Sequence, residues 1–547
     1  MIKKLFSGQI NSIMIAALLV ALSSLTSRFL GVFRDRILAG EFGAGDTLDV
    51  YYAAFRIPDF IFNLLILGAL SAGFIPIITS LIKDHECKKD NWFFKNPNKE
   101  VWELSSNILN ILGIAVFLIS ILGIIFAPWI MKVITPGFSP EKQMQVASLT
   151  RIMFLSPIFL GISSVLGGIL QSFKRFFAYS LSPIIYNLGI ILGAIYLVPR
   201  WGIYGLAWGV VAGSFLHMMV QLPVIFQLGF RYKPILDFKD KNIIKIGKLM
   251  VPRVMSLGIS QIELLSITII ASTLPSGSLA VFNFANNLQS FPIGIFGISL
   301  AIAAFPTLSA VAFNEKKLVE NFSNVFRQIM FFIIPAMVLF LTLRAQIVRV
   351  VLGAGNFDWN DTMLTFETLR FFAISLFAQA SLPLLARVFY ARHNSKTPFM
   401  VGIFSAITNV FLALYFVRKG DVSSLALSFS IASMVNFVIL WLMLRREVGA
   451  LDEKRIFMSI LKLGISGVFA GWTIQSAKIL IAGYVNMEKL WGVFMQGFIS
   501  GIIGLLVFVA FCSLLRSEEF FYFWNAFKKR IPWKKIETGD QGEARGI

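Results

Sequence analysis

The chain has 547 residues, 57% of them hydrophobic, with a formal net charge of +20 and a mean hydropathy of +0.76. Only 14% of its residues are charged, against about 25% in soluble domains, so most of the surface faces something other than water and a soluble enzyme is excluded. Nucleic acid is excluded too, because that needs a basic face on a water-exposed domain, and here Lys and Arg stand in short linkers between apolar runs.

Apolar runs bounded by charges or Gly/Pro turns predict an all-α polytopic membrane protein of about fourteen helices. In chain order the runs are 10–33, 50–81, 101–127, 143–172, 179–198, 203–228, 243–273, 278–311, 319–343, 363–390, 397–417, 423–444, 457–482 and 489–514. The first could be mistaken for a signal peptide, but its pattern continues through Ser27-Arg28-Phe29-Leu30-Gly31 without a convincing cleavage site. Alternate linkers differ in charge. One set carries Lys83, Lys88, Lys89, Lys95 and Lys99, then Lys174 and Arg175, Arg231 to Lys241, Lys316 and Lys317, Arg392 and Lys396, and Arg445 to Arg455. The other set, including Thr135-Pro136-Gly137, Pro275-Ser276-Gly277 and Gly353-Ala354-Gly355-Asn356, is short and nearly neutral. This positive-inside bias places both termini in the cytoplasm and requires an even helix count.

A weak internal repeat relates the halves. Phe74-Ile75-Pro76 closes the second predicted helix as Ala304-Phe305-Pro306 closes the eighth, and the same offset sets Arg56 opposite Asn286. The expected architecture is two pseudo-symmetric six-helix lobes plus a C-terminal helix pair. The divisions fall at 1–228, 229–446 and 447–515, with a basic cytoplasmic tail at 516–547. Repeats joined without a change of phase are parallel, related by an axis along the membrane normal.

An ionisable side chain inside a membrane helix costs about 3 kcal/mol or more. The first two helices nevertheless hold Arg28, Arg34, Asp35, Arg36, Asp49, Arg56 and Asp59. Arg28 and Arg34 diverge by roughly 120° around a helix and share a cavity if the helix kinks at Gly31. Guanidinium forks suit a phosphate or pyrophosphate. Arg36 is expected to snorkel to the interface. The seventh helix offers Arg253, Gln261 and Glu263, and the eighth offers Asn283, Asn286 and Asn287 on one stripe, together with Gln289. Cys87 and Cys512 lie too far apart for a disulfide framework, and His85, His217 and His393 are scattered, so neither a metal nor a cofactor is expected. No G-x-S-x-G, P-loop or H-E-x-x-H occurs, so no enzyme is expected. Transport would draw on an ion gradient, the membrane potential or consumption of the substrate, which leaves a coupling ion open.

Ser27-Arg28-Phe29-Leu30-Gly31-Val32-Phe33-Arg34-Asp35, Glu41-Phe42-Gly43-Ala44-Gly45 with Asp49, and Ala54-Phe55-Arg56-Ile57-Pro58-Asp59 resemble the MurJ/MviN family of the MOP exporter superfamily. Ser260-Gln261-Ile262, Phe291-Pro292 with Gly294 and Gly297, and Lys396-Thr397-Pro398 extend the likeness across the chain. The resemblance implies fourteen helices, with two lobes around a V-shaped cavity. It implies a flippase in the bacterial inner membrane for lipid II, the undecaprenyl-diphosphate-linked peptidoglycan precursor, or a related glycan. It also implies that Arg28 and Arg34 match the functional arginines of the first helix, and that Asp49 and Arg56 match an acidic and a basic position. The substrate site expected from residues and resemblance together is Arg28, Arg34, Asp49, Arg56, Arg253, Asn286 and Asn287. Phe62, Leu67, Asn287 and Ser290 stand where the family usually carries charges, so an exporter of another polyprenyl-linked glycan, such as an O-antigen unit, is the alternative. An intramembrane glycan enzyme would want a carboxylate or histidine cluster on a sizeable loop.

Overall fold

The computed structural model describes residues 13–67, 74–87, 99–418 and 420–530. Among the described residues every regular element is helical. The first lobe comprises α1 (Ile13–Phe42), α2 (Asp46–Ile61), α3 (Ile75–Cys87), α4 (Lys99–Ile134), α5 (Pro140–Met153), α6 (Leu155–Ser172), α7 (Phe176–Leu192) and α8 (Ile203–Met219), with short helical turns at Val198–Trp201 and Leu222–Gln227. The second comprises α9 (Lys241–Ala271), α10 (Ser278–Pro292), α11 (Ser299–Ala310), α12 (Glu315–Thr342), α13 (Arg344–Leu352), α14 (Trp359–Ile374), α15 (Leu376–Ala391), α16 (Lys396–Val417) and α17 (Ser423–Val448). A pair, α18 (Glu453–Ala482) and α19 (Leu490–Leu514), and a terminal helix, α20 (Glu518–Arg530), follow.

Among the described residues ten helices are long and apolar enough to cross a membrane, and eleven if α14 and α15, bent by 48° at Ser375, count as one span. The first, second and seventh predicted spans fall on α1, on α2 with α3, and on α9. Several helices begin where a short polar side chain takes up the free N–H groups of the first turn. Ser139 accepts from Lys142 N, Asp240 from Asn242 N and Ile243 N, Asn314 from Lys317 N, and Asp358 from Asp361 N.

The lobes repeat one pairing scheme. In the first, α1 packs on α7, α2 on α5, α4 on α6, α6 on α8 and α7 on α8. In the second, α9 packs on α16, α10 on α14, α12 on α15, α15 on α17 and α16 on α17. The repeat extends to irregularities. A wide helical turn with i→i+5 bonding at Phe62–Leu67 follows α2, and another at Ile293–Ile298 follows α10. The offset seen in the sequence brings these bulges into register within one residue. Extra-wide turns of this kind mark functional bends in helices. Between the lobes, Leu228 to Asp240 runs without helix and is tied to α4, where Asn107 both donates to Asp237 O (2.8 Å) and accepts from Asp237 N (2.9 Å).

Three apolar cores follow from this arrangement. One, built on Phe74, Trp102 and Ile169 of the first lobe, also takes in Ile246 from the start of α9, and another, built on Phe322, Phe326 and Phe389 of the second, takes in Leu463 and Phe508 of the C-terminal pair. The third runs through both lobes, joining Leu38, Tyr51 and Leu206 to Phe282, Phe357 and Phe372. The lobes therefore share a broad core at one end, while toward the other they meet through the first half of α9, whose Ile246 joins the core of the first lobe. The pair α18 and α19 packs on α12 and α13 at the side of the second lobe.

Candidate functional site

The inner seam between the lobes is formed by α1 and α2 facing α9 and α10. Here α1 runs unbroken through Gly31, so its arginines diverge. Arg28 turns toward the second lobe, where Nη1 donates to Ser290 O at 3.4 Å. Its guanidinium lies against Gly294, and a Cβ there would fall 2.4 Å from it, so a larger residue would make the arginine move. Arg34 turns into the first lobe. It donates to Asn187 Oδ1 (3.3 Å) and grips Asp35 Oδ1 through Nε (3.1 Å) and Nη2 (2.8 Å). It also lines a cavity of about 400 Å³ with Asp59, Ser163, Tyr186, His217 and Gln221. Asp35 is buried and its second oxygen accepts from Asn287 Nδ2 at 2.8 Å. One polar chain, Asn187–Arg34–Asp35–Asn287, thus crosses from lobe to lobe.

Arg56, also buried, donates through Nε to Thr268 Oγ1 (2.9 Å) and through Nη2 to Asn283 Oδ1 (3.5 Å). Asp59, one turn on, accepts from Asn63. The asparagine stripe of α10 splits: Asn283 and Asn287 meet α2 and α1, whereas Asn286 Oδ1 accepts from Gln289 Nε2 (3.0 Å), and Gln289 in turn accepts from Gln379 Nε2 (2.9 Å). Arg253 lies on α9, and its side chain is outside the described residues. Glu263 accepts from Asn409 Nδ2 at 2.7 Å within the second lobe.

Asp49 sits apart from the arginines, at the end where the lobes share their core. It is 2% exposed. Its two oxygens accept from Gly277 N (2.8 Å) and Ala280 N (2.9 Å), so a carboxylate of the first lobe caps the first turn of α10 in the second. Lys142 bridges Asp46 and Asp49 with its ammonium over the Phe138 ring. Nearby, Ala44 N donates to Asp361 Oδ2 (2.8 Å) and Asn356 N to Gly40 O (2.8 Å). Gly277 has φ +86° and rests against Ala44, where a Cβ would stand 1.8 Å from the carbonyl oxygen. The seal is therefore made largely by backbone. Arg36 belongs to it as well. It does not snorkel into the interface but donates to Val350 O (2.5 Å) and Val351 O (3.3 Å), the free carbonyls at the end of α13.

Lys142, Asp361 and Thr268 were absent from the expected site. Lys142 had a legible signal, since it is a cation beside a linker that is otherwise nearly neutral. Thr268 and Asp361 had none, because a hydroxyl or carboxylate at a helix end is ordinary until its partner is known. Among the described residues no group of three or more His, Cys, Asp or Glu side chains could hold a metal ion. The arrangement is a closed seal at one end and a seam of three guanidiniums on the other side of it. It is suited to admitting an anionic group between the lobes and handing it across.

Known proteins share this architecture. A solved structure described as "Lipid II flippase MurJ, inward closed conformation" superposes with a TM-score of 0.73 at 23% identity, covering 93% of this chain and 100% of that one. A multidrug resistance MATE family transporter of the MOP superfamily, in an inward-facing conformation, gives 0.62 at 18% identity over 78% of this chain and 96% of its own. Among curated sequences, the probable lipid II flippase MurJ of Buchnera aphidicola subsp. Schizaphis graminum is 31% identical over 480 residues, 84% of this chain and 90% of that protein. The probable lipid II flippase MurJ of Vibrio cholerae is 28% identical over 508 residues, 90% of this chain and 93% of its own. The family profile described as Lipid II flippase MurJ matches residues 38–495. With the profile spanning most of the chain, the protein belongs to the lipid II flippase MurJ family.

Proposed function

We propose that this protein carries lipid II from the inner to the outer leaflet of the bacterial cytoplasmic membrane by alternating access, with both termini in the cytoplasm. The observation that supports this most is the seam of Arg28, Arg34 and Arg56 between two lobes sealed against each other at one end. A diphosphate carries charge that three guanidiniums can meet with forked hydrogen bonds. The polyprenyl tail has no need to enter, since the lobes stand in lipid and separate at the open end. In this reading the sealed end, held by Asp49, Lys142 and Asp361, faces outward, and the open end faces the cytoplasm.

Movement follows from differential affinity: a ligand biases a two-state equilibrium only as far as it binds one state better. Diphosphate oxygens compete with Ser290 O for Arg28 and with Asp35 for Arg34. Releasing Asp35 loosens its bond to Asn287, and with it the polar chain between the lobes. Arg253 on α9, Asn286 and the C-terminal pair complete the proposed surface for the head group and lipid.

The test is expression in a bacterium depleted of its own lipid II flippase, followed by digestion of lipid II with an enzyme added outside. Restored digestion with wild type and its loss with Arg28→Ala support the reading. Membrane-inserted wild type that leaves lipid II undigested overturns it. That outcome favours another polyprenyl-linked glycan, a reading prompted by the neutral residues Phe62, Leu67, Asn287 and Ser290.

A further inference from the structure

The cavity of about 400 Å³ inside the first lobe carries chemistry that the seam does not use. Gln221, just beyond α8, lines it and is 1% exposed. Its Nε2 donates to Ser163 Oγ (2.6 Å) and to the carbonyl oxygen of His217 (3.3 Å). A carbonyl accepts and cannot donate, so the amide is held one way round and Oε1 is turned from that pair. Oε1 has no hydrogen-bond partner among the described residues. Buried polar groups in folded proteins are nearly always paired, so this acceptor calls for a donor from outside the chain.

The rest of the lining says what kind of molecule brings that donor. Ser163 Oγ also lies 2.6 Å from His217 Nδ1, which fixes the imidazole through one nitrogen and leaves Nε2 for an occupant. The His217 ring stands at 89° to the ring of Tyr186, with centroids 6.4 Å apart. Phe55, Pro58, Phe62, Leu160 and Tyr179 complete the walls. Apolar and aromatic surface with a few placed polar groups is the make-up of a small-ligand site. The occupant is not a metal ion, because Arg34 in the wall repels a cation and the described residues hold no cluster of ligating side chains. A sugar ring matches it. Sugar hydroxyls both donate and accept, while the C–H faces of the ring lie against apolar and aromatic walls.

Arg34 belongs both to the wall of this cavity and to the polar chain Asn187–Arg34–Asp35–Asn287 that crosses the seam. In a diphosphate-linked glycan the first sugar is bonded directly to phosphate, so a diphosphate held by Arg34 sets that sugar beside it. We propose that the first-lobe cavity receives the first sugar of the glycan, one of whose hydroxyl or amide hydrogens is donated to Gln221 Oε1. A site built to bond a substrate group rejects the analogue that lacks it, so the cavity favours the glycan-bearing lipid over bare polyprenyl diphosphate. The inference rests on the reading of Arg34 as a diphosphate ligand and adds which part of the cargo the first lobe recognises.

The test measures, by native mass spectrometry of the full-length protein in detergent, the binding of undecaprenyl diphosphate, the same lipid carrying one N-acetylglucosamine, and lipid II. The quantity read is the Kd of undecaprenyl diphosphate divided by that of the one-sugar lipid. Gln221→Met keeps the length of the side chain and loses the acceptor, and should lower this ratio about tenfold, the worth of one buried hydrogen bond. Ser164→Leu fills the cavity from another wall and leaves Gln221, Ser163 and His217 in place, and should lower the ratio by a similar factor. Lipid II should respond to both variants as the one-sugar lipid does. Arg28→Ala should weaken all three lipids and leave the ratio unchanged. A wild-type ratio in either folded cavity variant overturns the sugar site and leaves the diphosphate reading standing, and so does a loss that falls on all three lipids equally. Wild type that binds none of the three overturns the diphosphate reading and the sugar site with it.

Discussion

Asp49 and Gly277 meet across the two lobes at 2.8 Å, carboxylate oxygen to backbone N–H. Together with the Ala280 N–H, this makes the cap of a helix in one lobe a side chain of the other, so opening the sealed end uncaps α10. Asp49→Asn keeps the shape but loses the charge. Losing a capping carboxylate costs about 1–2 kcal/mol, which multiplies the open population by about 5 to 30. Label distances across the sealed end would show it, and an unchanged distribution would contradict the capping role.

Gly277→Ala tests the same seal from the backbone side. The residue has φ +86° and no room for a Cβ beside Ala44, and the left-handed conformation alone costs about 1–2 kcal/mol. Lower thermal stability and greater labelling of Ser276→Cys are the expected results. Wild-type values for both would mean that the turn relaxes freely.

Arg28→Ala removes a guanidinium without removing a buried ion pair, since the partner of Arg28 is a backbone carbonyl. Folded protein should be recovered at the wild-type level by size-exclusion chromatography. Transport, read as lipid II exposed to external digestion, should fall about 10- to 100-fold, the worth of one charge-assisted hydrogen bond. Arg28→Lys keeps the charge but not the fork and should recover only part of it.

Asn287→Asp places a second carboxylate against Asp35, which now accepts from Asn287 at 2.8 Å. The bond is lost and a repulsion takes its place, at about 2 kcal/mol, so the melting temperature should fall. Asn287→Arg offers Asp35 a cation and should be tolerated. Equal melting temperatures for the two variants would show that the pair does not join the lobes.

Acid should release α20. The hydrogen bonds from Arg455 hold the Glu518 carboxyl below its ordinary value of 4.5, with Arg327 adding to the effect. A carboxylate lowered in this way supplies its docking stability at every pH above that ordinary value, and the contribution is lost as pH falls through the lowered one. Proteolysis after Arg516 should therefore be slow near neutrality and accelerate only below about pH 4.5. Glu518→Gln should give the faster rate at all pH values.

Much of this is legible in the sequence. The apolar runs locate most helices because a membrane span must be both long and apolar, and the charge alternation of the linkers sets the two lobes in phase. The seam arginines stood out because charge within an apolar run is costly enough to need a reason. Partner choice was not legible. Arg28 and Arg34 share a helix yet serve different lobes, since six residues carry a side chain well round the axis. The stripe of Asn283, Asn286 and Asn287 divides for the same reason once neighbours crowd both sides of α10. The seal escaped notice because it is built from Gly40, Ala44, Gly277 and Asn356 backbone atoms, which leave little trace in side-chain chemistry.

The matched bulges at Phe62–Leu67 and Ile293–Ile298 carry a consequence for how this chain tolerates changes in length. A turn closed by i→i+5 bonds holds one residue more than an ordinary turn. Deleting a single residue there would tighten the wide turn to an ordinary one, and what lies beyond it would keep its facing, because the wide turn already absorbs the extra residue. A one-residue deletion is usually most disruptive inside a helix. At these two points it would instead be absorbed, removing the bend without turning the faces of the span, and a pair of such deletions, one in each half, would keep the halves alike.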